Sequence, residues 1–316
     1  MRTQPRGGGK TVLAWLLPVT LLAAAACGDQ TASDDEDISI VVTTTILGDI
    51  VENVVGDLAQ VEVLMPVGAD PHDFQASAQQ VASLTRADLV VANGLGLEEG
   101  LESVLRSAES DGANILYLGP LLDPVPLPAD RAEGADEQHH GDDPHVWLDP
   151  IRMLAAVDLI VTALNQIEDG TDWVTKAEEY KEEISIADRE ISGLLGTIPD
   201  ASRKLVTNHD SLGYFADRYG LRLIGVVIPG GSTLAEPSSE GLAALVKVME
   251  REEVTAIFAE STQSDVLAKT VASELGQDVA VIELFTGSLG PAGTAADTYL
   301  GVMRVNAMRI ADGLTS

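Results

Sequence analysis

The chain has a single cysteine, Cys27, so no intramolecular disulfide can form and the fold must rest on its core. Basic side chains are also scarce. Nineteen Lys and Arg stand against 50 Asp and Glu, a formal net charge of −31. A surface this negative repels nucleic acid and anionic lipid and raises the local concentration of cations, although it serves solubility equally well. There is no His-Glu-x-x-His helix, no P-loop and no Gly-x-Ser-x-Gly elbow. Gly94-Leu95-Gly96-Leu97-Glu98-Glu99-Gly100 misses the dinucleotide spacing by one residue. These absences argue against a zinc peptidase, a nucleotide-binding enzyme and a serine hydrolase.

The apolar run Val12 to Ala26 is shorter than the roughly 20 residues that span a bilayer. Arg2, Arg6 and Lys10 precede it and small residues close it, so residues 1–27 read as a signal peptide. Ala24-Ala25-Ala26-Cys27 resembles a bacterial lipoprotein box, which would make Cys27 the lipidated first residue of the mature protein. Loss of the three basic residues leaves 16 against 50 acidic ones, a net charge of −34. Gly28 to Asp37, with Asp34-Asp35-Glu36-Asp37, reads as an acidic tether.

With 45% apolar residues, the remainder can build a sizeable core. Short β-branched runs alternate with helical stretches, the pattern of an α/β fold with mainly parallel sheets. The first series places strands at 38–44, 61–65, 89–91 and 115–118, with helices at 46–55, 78–86 and 97–108. The second places strands at 204–207, 221–227, 255–258 and 279–282, with helices at 239–251, 264–275 and 298–311. These predict an N-terminal lobe over 38–168 and a C-terminal lobe over 197–316.

Between the lobes, after a helix near 151–167, a connecting helix is expected within 169–196. Trp173, Ala177, Tyr180, Ile184, Ala187, Ile191 and Leu195 recur at steps of three and four, one face of a single long helix. A rigid helical connector restricts hinge opening. Residues 121–143 carry Pro124, Pro126 and Pro128, then an acidic run with His139 and His140, and show no period. They predict a mobile loop whose two histidines could hold metal transiently.

Three of the five histidines lie in short stiff segments. Asp70-Pro71-His72 and Asp143-Pro144-His145 repeat one phrase, and a proline restricts both itself and the residue before it. His209, in Thr207-Asn208-His209-Asp210, follows the apolar pair Leu205-Val206, as at the mouth of a strand. Three convergent imidazoles would form a metal site. Asp70, Asp73 and Asp143 are candidates to orient the rings, while Asp149 before Pro150 reads as a helix cap.

From Ile38 onward the chain resembles the zinc- and manganese-type solute-binding proteins of bacterial ABC importers, a group that includes the metal-binding lipoprotein adhesins. The matching phrases are Gly68 to Phe74, Asp143 to Pro150, Asn208 to Phe215 and Asp297 to Asn306, in family order. The resemblance implies two Rossmann-like lobes joined by one long rigid helix, with metal in the cleft between them, His72 and His145 coming from the first lobe and His209 from the second. It also implies an extracytoplasmic monomer anchored to the outer face of the cell membrane, without enzymatic activity. Such a protein delivers Zn²⁺ to a permease with its ATPase, and a zinc metallochaperone is a further candidate partner.

Manganese-type members carry a carboxylate where this chain has His209, and imidazole nitrogen suits zinc better than manganese. Many relatives place an aspartate in a Thr-Asp-Ser phrase near the C-terminus, but here the stretch reads Phe285-Thr286-Gly287-Ser288-Leu289. The fourth position then falls to water, or to Glu260, Glu283 or Asp210. Alternatives are a receptor for Mn²⁺ or another divalent metal, an adhesin of the same fold, or a hydrolase using three histidines and a zinc-bound water.

Overall fold

The computed structural model describes residues 38–128, 141–275 and 279–315. The signal segment, Cys27, the acidic tether and the pair His139-His140 lie outside the described residues. The described residues form two four-stranded parallel sheets.

The first sheet contains β1 (Ile38–Val42), β2 (Ala59–Val63), β3 (Leu89–Ala92) and β4 (Ile115–Tyr117), in the order β2-β1-β3-β4. The second contains β5 (Lys204–Thr207), β6 (Arg222–Val226), β7 (Ala256–Glu260) and β8 (Ala280–Leu284), in the order β6-β5-β7-β8. Both lobes therefore repeat one strand order. The inner strands β3 and β7 are buried along their whole length, as a parallel sheet covered on both faces requires, whereas edge strand β2 alternates partly buried and exposed residues.

Helices α1 (Thr45–Val55), α2 (Ala78–Leu84) and α3 (Glu102–Ser110) belong to the first series. The first strand stops at Val42 rather than running to Thr44, because Thr44 caps α1 through its side-chain oxygen, which accepts the Leu47 N–H. The third helix begins later than its period implies. Buried Glu98 accepts from Thr43 Oγ1 and from the backbone N–H groups of Asn93 and Gly94, fixing the Gly94–Glu98 stretch as a turn. A 3-10 turn over Glu99–Leu101 then leads into α3.

The helix α4 (Pro150–Ile167) starts with Asp149 as its cap, accepting from Ile151 N. It is long and apolar enough to cross a membrane, but Met153, Ala156, Val157, Ile160 and Leu164 form a buried face in the core. After it, α5 (Trp173–Leu195) runs unbroken between the two sheets in sequence. Its buried face includes every apolar position of the three-and-four pattern, packed with α1, α4 and α9 (Tyr299–Thr315).

Two further features depart from the sequence reading. A short helix α6 (Gly213–Tyr219) intervenes between β5 and β6, ended by Gly220 in the left-handed conformation at φ 67°. Two turns carry too few residues for a clear period. The segment 121–143 is not uniformly loop-like: Pro126 and Asp142 form an antiparallel bridge, and Asp143 N donates to Val125 O at 2.7 Å. Proline tolerates such an isolated bridge because it needs no complete ladder. Helices α7 (Ser239–Glu252) and α8 (Val266–Glu274) complete the second lobe.

The load on α5 gives a direct test. Ile184 is fully buried at mid-helix, whereas Ile186 is 38% exposed. Ile184→Ala should destabilise the metal-free protein by about 2–5 kcal/mol and Ile186→Ala by less than about 0.5 kcal/mol, measured by urea unfolding. Equal losses would contradict the packing described.

Candidate metal centre

The three histidines meet where strands end. His72 lies in the turn after β2, His209 two residues beyond β5, and Glu260 is the last residue of β7. In open α/β sheets, ligands bind outside the carboxyl ends of the strands, because the connecting loops there leave a crevice. His145 arrives from the segment that leads into α4.

The repeated Asp-Pro-His phrase produces a repeated turn. Asp70 Oδ1 accepts from His72 N, and Asp143 Oδ1 from His145 N, each at 3.0 Å. Each aspartate thus holds the backbone of the histidine two residues on. The two then diverge. Asp143 Oδ1 also accepts from His145 Nδ1 at 2.7 Å, whereas Asp70 Oδ2 accepts from Thr233 Oγ1 at 2.6 Å and from Gln263 Nε2 of the other lobe. Asp70 orients the turn but not the ring.

His209 Nδ1 donates to Glu260 Oε1. With both Nδ1–H groups given to carboxylates, His145 and His209 bring their Nε2 atoms to 3.0 Å of each other. Ring centroids lie 4.9 Å apart for His145–His209, 5.4 Å for His72–His209 and 5.6 Å for His72–His145. One nitrogen from each ring fits within a 4.8 Å span, and all three residues are buried. Nitrogens held at about 2.0–2.1 Å by a tetrahedral zinc stand about 3.3 Å apart, so a small contraction at His72 would complete three such positions.

Neither ring nitrogen of His72 has a hydrogen-bond partner. Its closest charged neighbour is Glu99, with Oε1 at 3.4 Å from Nδ1. Behind Glu99, Gly100 N donates to His72 O at 3.1 Å, and a Cβ on Gly100 would stand 2.3 Å from Phe74 O. The absent side chain lets the Glu99–Leu101 turn press directly on the His72 turn.

The remaining candidates are placed elsewhere. Asp73 is exposed, and so supports no ring. Glu283 is 59% exposed beside Arg309, because it alternates outward from buried Leu284 on an edge strand. Asp210 is buried, its N–H donating to Gly230 O, but it lines a separate cavity with Arg152, Gly213 and Tyr214. Glu260 does line the histidine cavity, where it is engaged by His209. Gly287 lines it too, and a Cβ there would meet Pro71 Cδ at 2.9 Å. Glu99 is the residue that sequence reasoning missed; the requirement that every ligating imidazole have an acceptor on its second nitrogen could have prompted a search for it.

The electrostatics separate the facing rings. Burial pushes His145 well below its usual value, assisted by His209 and His72. Burial opposes charge on His209 as well, but the neighbouring Glu260 outweighs it and holds His209 above 6.5. Glu260 is held below its usual range despite burial, because His209 stabilises its charge. A proton between the two Nε2 atoms therefore belongs to His209 and is donated to His145.

Comparison with known proteins agrees with this architecture. Residues 40–313 match the family described as zinc-uptake complex component A, periplasmic. The chain is 28% identical over 311 residues to the manganese-binding lipoprotein MntA of Halalkalibacterium halodurans, covering 97% of this chain and 99% of that one. It is 30% identical over 300 residues to the MntA of Bacillus subtilis, covering 92% and 95%. Among solved structures, the periplasmic zinc-binding protein TroA of Treponema pallidum superposes with a TM-score of 0.79 at 26% identity, over 89% of this chain and all of that one.

A cation taking both Nε2 positions must displace the shared proton. Uptake at pH 7 should release protons, readable by calorimetry in buffers of different ionisation enthalpy. Because the His209 value is raised, weakening should begin above pH 6.5 and approach about tenfold per pH unit below it. Proton-neutral binding at pH 7 would contradict this pairing.

Proposed function

Since the chain belongs to the zinc-uptake complex component A family, we propose that it is the zinc receptor of an ABC importer, holding Zn²⁺ through His72, His145 and His209. At the coarser level it is a metal-binding substrate-binding protein of an ABC importer. The observation that carries the zinc reading is the cluster of three buried imidazoles with one nitrogen each inside a 4.8 Å span.

Neutral imidazole suits zinc, whereas manganese favours carboxylate and water oxygens in six-coordinate geometry. Among the described residues that line the cavity, the carboxylates are Asp70 and Glu260, and Glu260 is taken up by His209. Gly287 supplies no side-chain donor. The fourth position goes to a shift of Glu260, or to water once the closed cavity widens around the cation, which favours release over permanent retention. Asp143 and Glu260 orient the rings as partners of the Nδ1 atoms.

The relatives named manganese-binding lipoproteins favour a second reading, a manganese receptor of the same fold. Their names also support an extracytoplasmic location with anchoring at the membrane, consistent with lipidation at Cys27. In this role the partners are a permease and its ATPase, and the protein performs no chemistry on its cargo.

Competition titrations with calibrated chelators separate the two metals. Zn²⁺ should bind more tightly than Mn²⁺ by several orders of magnitude, and a preference for Mn²⁺ would overturn the zinc reading. Replacing any one of His72, His145 or His209 by Ala should cost on the order of 100-fold or more in zinc affinity, because about 10–16 kcal/mol is shared among few ligands in a zinc site. Asp143→Ala should cost about 10–100-fold. Greater loss on replacing His139 and His140 together would place the site elsewhere.

A further inference from the structure

The histidine cavity is closed in this conformation, with no room for a water molecule, so cargo must pass a contact that opens. One candidate lies beside His72. Ser232, in the loop after β6, is buried and donates through Oγ to Glu99 Oε1 at 2.5 Å. The same Glu99 oxygen is the one 3.4 Å from His72 Nδ1. One carboxylate oxygen of the first lobe therefore faces both an imidazole of the site and a hydroxyl of the second lobe.

Outside this contact is a cavity of about 460 Å³, lined by Glu99, Glu102, Asp142 and Ser232 among others. Glu99 and Ser232 both line it, and Glu99 is the one beside His72. His72 is itself buried with both ring nitrogens unpartnered, so Glu99 is the group placed to receive its Nδ1 proton when Nε2 takes up a cation.

We propose that Glu99 positions His72 and, through its bond to Ser232, latches the second lobe over the metal, so that divalent cargo leaves through the acidic cavity when this latch opens. The proposal rests on the three-histidine reading and adds to it a determinant of release. Asp143 and Glu260 are committed to single rings, whereas Glu99 joins ring orientation to lobe closure.

The test uses the full protein loaded with Zn²⁺ and mixed with excess chelator in a stopped-flow instrument. Ser232→Ala should release zinc about tenfold faster, the effect of removing one hydrogen bond to a charged group, while association changes by less than about twofold. Ser232→Thr, which keeps the hydroxyl, should restore slow release. Glu99→Gln, which removes the charge and leaves a weaker acceptor, should also accelerate release, and adding Ser232→Ala to it should give less than the product of the two effects, because both variants act on one link. Unchanged release in Ser232→Ala, or independent addition of the two effects, would overturn the latch. Zinc binding that survives His72→Ala, His145→Ala and His209→Ala would instead remove the three-histidine reading, a result distinguishable from failure of the latch. The Ser232 pair decides the question even if Glu99→Gln does not fold.

Discussion

Carboxylates on the far nitrogens of two imidazoles set the chemistry of this molecule. Asp143 accepts the Nδ1–H of His145 and Glu260 that of His209, which turns the two Nε2 atoms toward each other at 3.0 Å in a buried setting. Lone pairs so placed repel unless a positive species lies between them. The fold supplies the pairing by ending β5 and β7 side by side, so that His209 and Glu260 emerge from adjacent strands. The Asx turn at Asp143 supplies the other half within three residues. The same arrangement splits the two rings, burial pushing His145 down while Glu260 outweighs burial and raises His209.

The two sheets give the site its symmetry without giving it equal parts. Both use one strand order, and both present loops at their carboxyl ends. The first lobe contributes the two Asp-Pro-His turns, and the second contributes a strand-end histidine with its carboxylate. Contacts across the crevice include small polar ones: Thr45 with Ser288, Gly68 N with Ser288 Oγ, and Trp147 Nε1 with Thr286 O. Each is worth little alone. By contrast, α5 is held by a continuous apolar face along its whole length.

Much of this was legible in the sequence where residue type and local geometry coincide. The strands announced themselves through β-branched runs, and α5 through its unbroken three-and-four spacing. His72 and His145 were marked by their prolines, and His209 by its position after an apolar strand. What escaped depended on distance in space. Asp70 and Asp143 share a phrase, yet only Asp143 reaches its ring, because Thr233 and Gln263 from 163 and 193 residues away draw the Asp70 carboxylate aside. Glu99 reaches His72 only because Gly100 permits a backbone approach that no local pattern encodes. Glu283 was an attractive carboxylate by neighbourhood, but the two-residue alternation of β8 turns it to solvent. The stem of the 121–143 segment was hidden for a similar reason, since a single cross-chain bridge leaves no periodic trace.

Gly287 has a consequence for how this donor set endures. The ring of Pro71 occupies the space that a Cβ at 287 would need, and Pro71 is bonded directly to His72. A side chain introduced at 287 must first push that ring away, and the imidazole moves with it. An aspartate introduced at 287 would therefore disturb the proposed donor His72 before adding an oxygen donor. Two compensating changes are needed where one would seem enough, and the nitrogen-rich character of the centre is guarded by packing as well as by composition.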